Sequence, residues 1–131
     1  MLNHIPAKMQ KIQDVDSQQL WRILDNFPQQ VKDASSLGKN IVLNKFSNIV
    51  ITGMGGSNLP GEITKSIVDA VPIILVKDYI LPKFVNKDTL VFAVSYSGNT
   101  EETLEAFEEA IKRKSQVVVI CSGGELEVRA K

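Results

Sequence analysis

Glycine, serine and threonine cluster at three places in this chain of 131 residues. The clusters span residues 53–58, 95–100 and 121–124. Glycine lets a backbone approach a ligand closely and present its amides, while hydroxyl side chains add directed donors. Neutral donors of this kind suit a phosphate group that must be released after each turnover. The three clusters are therefore candidates for a phosphate-binding site.

The cluster Ser95–Thr100 is the strongest candidate, because the sequence predicts a helix directly after it. The first turn of a helix leaves unpaired N–H groups and a partial positive charge, which together attract an anion. The hydroxyls of Ser95, Ser97 and Thr100 surround the same point. This arrangement predicts an anion site at the start of the helix.

A simpler interpretation of the same residues is helix capping. Asn99 or Thr100 could only cap the helix, and Asn99 followed three residues later by Glu102 fits a capping box. Capping and phosphate binding are compatible. The pair Gly55-Gly56 is a weak signal alone, but two such loops at successive strand ends strengthen the case for a ligand site.

Two better-known glycine motifs do not fit. A nucleotide-binding P-loop would run from Gly56 to Gly61, but Glu62 stands where the phosphate-binding lysine is required. A dinucleotide-binding motif starting at Gly53 has Asn58 at its third glycine position. Asp78, at the end of the next strand, occupies the usual place of a ribose-binding acid, so the dinucleotide alternative stays open.

Four apolar runs predict the strands that position these clusters. The runs are nearly continuous rather than alternating, as expected for strands covered on both faces of a parallel sheet. They are Asn48–Met54, Pro72–Val76, Leu90–Val94 and Val117–Ile120. Each cluster follows one of these runs, and ligands of open α/β sheets bind outside the carboxyl ends of the strands.

The segments between the strands predict helices over Glu62–Ala70 and Glu101–Lys114, whereas Tyr79–Lys87 is too short and broken for one. Alternating strands and helices favour an open, doubly wound parallel α/β sheet flanked by helices, a three-layer sandwich of the flavodoxin type. The chain ends soon after the fourth strand. We therefore expect the domain to be truncated before its last strand, with an exposed edge that promotes association.

The N-terminal part of the chain has helical periodicity. Its apolar positions recur at spacings of three, four or seven, in the order Leu20, Ile23, Leu24, Phe27, Val31 and Ala34. We expect helices at about 17–26 and 28–36, capped by Ser17 and separated by Pro28. Residues 1–47 are predicted to pack as a helical segment on a domain formed by residues 48–131.

The bulk composition excludes several classes of protein. Basic and acidic residues balance at 15 each, so no global field draws the chain to nucleic acid or an acidic membrane. No stretch approaches the length of a membrane span. The single cysteine, Cys121, forms no internal disulfide and is expected to be buried as a small apolar residue. A cytoplasmic protein is expected.

Several segments of the chain resemble a known protein family. The stretch Ser95-Tyr96-Ser97-Gly98-Asn99-Thr100-Glu101-Glu102-Thr103 closely resembles the signature loop of sugar isomerase (SIS) domains. Further segments are similar to the phosphoglucose/phosphomannose isomerases within that family. They are Phe27–Gln30, Gly53–Ser57, Leu81-Pro82, Ala93–Ser95 and Ser122–Gly124. The resemblance spans about residues 16 to 131.

This resemblance implies a five-stranded parallel sheet, two such domains per subunit and an active site between them. The residues it implies as ligands of the sugar phosphate are Gly56, Ser57, Ser95, Ser97 and Thr100. Members of the family interconvert aldose and ketose 6-phosphates through a cis-enediol. No metal or cofactor is implied, and a homodimer is expected.

The catalytic residues implied by the family are a glutamate base, a histidine, a lysine and an arginine, all of which we expect beyond residue 131. The catalytic residues within this chain are therefore unknown. His4 lies outside the matching region, Arg129 matches no assigned position, and Glu101 and Glu102 suit the helix dipole. Alternatives are a non-catalytic sugar-phosphate sensor and another SIS enzyme, such as an amino-sugar isomerase.

Overall fold

A computed structural model describes residues 16–131, which divide into two compact units at Val42 and Leu43. The first unit contains helix α1 (Leu20–Asp25) and helix α2 (Phe27–Ala34). Pro28 lies in the first turn of α2, where its missing N–H is not needed. The predicted interruption at this proline is confirmed.

The start of α1 differs from the prediction. Gln19, not Ser17, precedes the helix, and it adopts a left-handed conformation with φ 56°. The carboxylate of Asp16 supplies the acceptor instead, because its Oδ2 accepts from the backbone N–H of Trp21 at 3.0 Å. The packing of this segment on the rest of the chain stays a prediction, and His4 lies outside the described residues.

The second unit is built on a sheet of four parallel strands. They are β1 (Asn48–Thr52), β2 (Ile73–Val76), β3 (Thr89–Ser95) and β4 (Gln116–Cys121), in the spatial order β2-β1-β3-β4. All four predicted strands are confirmed, with ends shifted by one or two residues. The parallel pairing agrees with their continuous apolar sequences.

Three helices complete this unit: α3 (Leu59–Ile67), α4 (Glu101–Lys112) and α5 (Gly124–Ala130). Helix α3 begins three residues before the predicted start at Glu62, because Pro60 is well placed in a first turn. The connection Tyr79–Lys87 contains no helix, as predicted. It is nevertheless anchored, since Leu81 and Val85 are buried in the core.

Helices cover both faces of the sheet. Val50 of β1 lies in one core cluster with Ala106 and Ala110 of α4. The neighbouring residue Ile51 points to the opposite face, where it lies against Gly61 of α3. These contacts confirm the doubly wound α/β class.

A salt bridge on α4 fixes the connection between β2 and β3. The N–H of Leu81 donates to Glu109 Oε2 at 2.9 Å, and Arg113 donates to the carbonyl of Pro82 at 2.6 Å and to Glu109 itself. The hydrogen bond from the Leu81 N–H lowers the pKa of Glu109 below its ordinary value, and Arg113 makes smaller contributions in the same direction. The carboxylate therefore ties α4 to this connection.

The strand order defines where a ligand would bind. From β1 the chain moves outward to β2 on one side, and from β3 it moves outward to β4 on the other. Such a reversal between two adjacent strands opens a crevice at their carboxyl ends, where α/β proteins bind ligands. The crevice lies between the ends of β1 and β3, which carry two of the three clusters.

Candidate functional site

The loops that follow β1 and β3 are in contact. The β1–α3 loop (Gly53–Asn58) contains a short 3-10 turn, and the β3–α4 loop comprises residues 96–100 with Ser95 at the end of its strand. A Cβ atom at Gly53 would lie 2.8 Å from the carbonyl oxygen of Val94, so only glycine allows this approach. The hydroxyl oxygen of Ser57 accepts a long hydrogen bond from the Tyr96 N–H at 3.4 Å.

The hydroxyls of the β3–α4 loop are held by the loop itself. Ser95 is buried, and its Oγ accepts from the N–H of Gly98 at 3.1 Å and lies 2.9 Å from Thr100 Oγ1. Ser97 is exposed, and its Oγ accepts from the N–H of Asn99 at 3.2 Å. The structure thus brings Ser95 and Thr100 into direct contact and places Ser57 against the backbone of the loop that carries Ser97.

These hydrogen bonds leave hydroxyl donors free in both loops. A hydroxyl has one O–H donor besides its acceptor lone pairs. Ser57 and Ser97 already use an acceptor position on a backbone N–H, so their protons remain for an incoming anion. When Ser95 donates to Thr100, the half-buried Thr100 hydroxyl keeps its own proton for the same purpose.

The start of α4 also leaves hydrogen-bond donors free. Thr100 precedes the helix in an extended conformation and makes no side-chain capping bond. The predicted capping box is wrong, because Asn99 Oδ1 accepts from the N–H of Glu125 at 2.9 Å and so serves α5 instead. Glu101 and Glu102 lie in the first turn of α4, as the helix dipole favours.

A pocket of about 630 Å³ adjoins these hydroxyls on one face of the sheet. Its lining residues are Gly56, Ser57, Val94, Tyr96, Ile120, Cys121 and Ser122. Of the predicted site residues, only Gly56 and Ser57 line it, whereas Ser95, Ser97 and Thr100 do not. The expected burial of Cys121 is only partly correct, since this residue is half-buried and reaches the pocket wall.

Sequence reasoning missed the apolar wall of this pocket. Val94 and Ile120 are paired in the β3–β4 register, so both point to the same face. Tyr96 follows two residues after Val94 and is 81% exposed. The two-residue period of β3 and β4 was the signal that would have found these residues.

The loop after β2 reaches the first turn of α4. The negative charge of Glu102, with smaller contributions from burial and from Glu101, raises the pKa of Tyr79 above its ordinary value. Asp78 accepts from the N–H of Tyr79 at 2.6 Å, so a local turn accounts for the position of its carboxylate.

The described part of the chain contains neither a metal-ligating cluster nor a membrane-spanning helix. Within residues 16–131, no group of three or more potential metal-ligating side chains comes together. Over the same residues, no helix is both long enough and apolar enough to cross a bilayer.

Comparison with known proteins gives a consistent result. Residues 42–128 match the SIS domain family. A protein of Caldicellulosiruptor bescii named bifunctional phosphoglucose/phosphomannose isomerase is 41% identical over 109 residues, which cover 78% of this chain and 32% of the relative. A protein of the same name from Thermoplasma acidophilum is 49% identical over 96 residues, covering 73% of this chain and 31% of the relative.

One further relative and one solved structure widen the comparison. A D-glucosamine-6-phosphate 4-epimerase of Sulfolobus acidocaldarius is 41% identical over 80 residues, covering 60% of this chain and 26% of the relative. A Bacillus subtilis structure provisionally described as a phosphosugar isomerase superimposes with a TM-score of 0.57 at 19% identity, covering 66% of this chain and 29% of that one. The superposition supports the fold. The chain spans about a third of the length of the first curated relatives.

Proposed function

The chain belongs to the SIS domain family, and we propose that its second unit binds the phosphate group of a hexose 6-phosphate. The proposed ligands are the hydroxyls of Ser57 and Ser97, the backbone amide of Gly56, and the Ser95–Thr100 pair, in which one hydroxyl donates to the other and the second keeps its proton for the anion. Unpaired N–H groups in the first turn of α4 add to these donors. The sugar would extend from the hydroxyls toward the adjoining pocket.

One observation carries this proposal: the serine oxygens of both loops accept hydrogen bonds from backbone N–H groups. These bonds fix the oxygens and direct the hydroxyl protons elsewhere. Fixed donors lose little conformational entropy when they bind a ligand, so the site is prepared for an anion.

For the intact protein we propose isomerisation of glucose 6-phosphate and mannose 6-phosphate to fructose 6-phosphate through a cis-enediol. The names of the curated relatives support this activity. Glu101 and Glu102 are unsuitable as the base, because a carboxylate facing the bound phosphate would repel it. We assign the base to residues outside this chain. Such an enzyme would act in cytoplasmic carbohydrate metabolism, in glycolysis and gluconeogenesis.

Calorimetric titration tests the binding proposal. The chain should bind glucose 6-phosphate, mannose 6-phosphate and fructose 6-phosphate but not glucose, because the donors address the phosphate. Equal binding of glucose would contradict the proposal. Marked preference for glucosamine 6-phosphate would favour the amino-sugar alternative that the Sulfolobus relative suggests.

An activity assay tests the assignment of the base. The purified 131-residue chain should convert no fructose 6-phosphate above background, since a placed general base contributes about 10²–10⁴-fold to such reactions. Robust turnover would place the base within these residues. Binding without turnover fits both the isomerase domain and a non-catalytic sensor, and a longer gene product would favour the isomerase.

We also propose that the chain forms a homodimer through β4. This strand forms one edge of the described sheet, and its Ile120 side chain, which also lines the pocket, is 53% exposed. Unpaired edge amides beside apolar side chains favour association, and an edge lysine opposes it. Sedimentation should show a dimer that dissociates in Ile120→Lys. A monomeric unaltered chain would contradict this proposal.

A further inference from the structure

Two backbone carbonyls of the β3–α4 loop accept hydrogen bonds from one other segment, residues 122–126. The carbonyl oxygen of Tyr96 accepts from both the N–H and the hydroxyl of Ser122, at 3.2 and 2.5 Å. The carbonyl oxygen of Gly98 accepts from the N–H of Leu126 at 2.9 Å. These bonds turn the negative ends of two loop peptides toward residues 122–126.

Asn99 is the side chain that joins the same two segments. Its Oδ1 accepts from the N–H of Glu125 at 2.9 Å, and its own N–H donates to Ser97 Oγ at 3.2 Å. Asn99 therefore links the first turn of α5 to a hydroxyl of the proposed anion site.

The interface between the two segments has no room for adjustment. A Cβ atom at Gly98 would lie 1.8 Å from the carbonyl oxygen of Gly123. A Cβ atom at Gly124 would lie 2.4 Å from the carbonyl oxygen of Ser97 and 2.8 Å from Asn99 Oδ1. Such close contact fixes the position of the Asn99 side chain against Glu125.

We propose that Asn99 is a positioning residue for phosphate binding. Its bond to Glu125 holds the loop with the carbonyls of Tyr96 and Gly98 turned toward residues 122–126, leaving the Ser97 hydroxyl and the unpaired N–H groups in the first turn of α4 for the anion. A carbonyl turned toward a phosphate would repel it, so the orientation of these peptides decides affinity. This inference rests on the proposed function and adds a residue that acts through the loop without contacting the ligand.

The test combines two NMR measurements on the isotope-labelled chain: the affinity for inorganic phosphate and the hydrogen exchange of the Glu125 amide. In Asn99→Ala, the Glu125 amide should exchange faster. The phosphate Kd should rise about fivefold to tenfold, the size expected for loss of one helix cap. The control Glu125→Ala keeps the backbone N–H and removes an exposed carboxylate whose ion pair with Arg129, at 3.5 Å, contributes little, so both measurements should stay within about twofold.

Two results would overturn the inference while leaving the proposed function intact. Faster exchange at Glu125 with unchanged phosphate affinity would make the bond purely structural. Weaker phosphate binding with unchanged exchange would mean that Asn99 contacts the anion directly. Failure of the unaltered chain to bind phosphate would instead overturn the proposed function, and the inference with it.

A second variant keeps the test decisive if Asn99→Ala does not fold. Asn99→Ser retains a shorter acceptor, so it should lose exchange protection and phosphate affinity together and by smaller factors. Loss of only one of these properties would contradict the positioning role.

Discussion

The two loops at the β1–β3 crevice share a composition but use it differently. In the β3–α4 loop, Gly98 has φ 68° and is pressed against Gly123, so glycine is required by the fold itself. In the β1–α3 loop, nothing lies within 4 Å of a Cβ atom placed at Gly55 or Gly56. The β3–α4 loop is held tightly by its neighbours, whereas the β1–α3 loop faces open space at Gly55 and Gly56.

A buried asparagine anchors the more open loop. Asn58 is 1% exposed, and its Nδ2 donates to the carbonyl of Gly53 at 2.9 Å. Its Oδ1 is buried without a hydrogen-bond partner among the described residues. Close packing therefore requires glycine at position 98 of the β3–α4 loop, whereas packing gives no reason for glycine at position 56. We attribute Gly56 to close approach of a ligand.

The largest effect is expected for Gly98→Ala. The added methyl group would meet the carbonyl oxygen of Gly123, and alanine tolerates a positive φ poorly. We expect the free energy of unfolding to fall by about 4 kcal/mol or more, the range of severe backbone conflicts. Urea denaturation measures this change. A loss below about 1 kcal/mol would show that the two segments are not tightly apposed.

A smaller effect is expected when the hydroxyls of the β3–α4 loop are removed. Replacing both Ser95 and Ser97 by alanine should weaken glucose 6-phosphate binding by about 1–3 kcal/mol, the scale of lost hydrogen bonds to a charged group. Calorimetry measures the change, and Ser66→Ala, which alters an exposed serine of α3, is the control. Unchanged affinity in the double variant would remove this loop from the phosphate site.

The attachment of α4 to the connection between β2 and β3 through Glu109 depends on pH. Because the pKa of Glu109 is lowered in the folded chain, its contribution to stability is present above its ordinary value of 4.5 and disappears as the pH falls through the lower folded value. Glu109→Gln should therefore destabilise the chain by about 1–2 kcal/mol at neutral pH and progressively less in acid.

Urea denaturation at several pH values checks this behaviour. Glu108→Gln is the control, since Glu108 forms a more exposed pair with Arg129 at 3.3 Å and should contribute little. A pH-independent loss in Glu109→Gln would contradict the assigned role of the carboxylate.

The smallest effect on folding is expected for Gly56→Ala. Open space surrounds this position and its φ is ordinary, so the free energy of unfolding should change by less than about 1 kcal/mol. Glucose 6-phosphate binding should nevertheless weaken, because the methyl group would stand where the ligand approaches. Gly55→Ala is the comparison: Gly55 has φ 53°, so this variant should destabilise the fold by about 1–2 kcal/mol. Full affinity in Gly56→Ala would contradict the distinction between the two loops.

The sequence predicted those features that depend on neighbouring residues. Continuous apolar runs marked β1 to β4, and Pro28 marked the break between α1 and α2, because strand burial and helix starts have local signals. The strand order was not predictable in this way, since it depends on which strands pair across long connections. Asn99 shows the limit most clearly: its short-range pattern indicated a capping box, but its partner Glu125 lies 26 residues away.

A crystal structure of the chain with glucose 6-phosphate is the most direct test of the proposed phosphate site. We predict that the phosphate lies at the N-terminus of α4, within hydrogen-bonding distance of the hydroxyls of Ser57, Ser97 and Thr100, with the sugar directed toward the pocket. A phosphate bound elsewhere, with these hydroxyls keeping only their present partners, would contradict the assignment of the phosphate site to the start of α4.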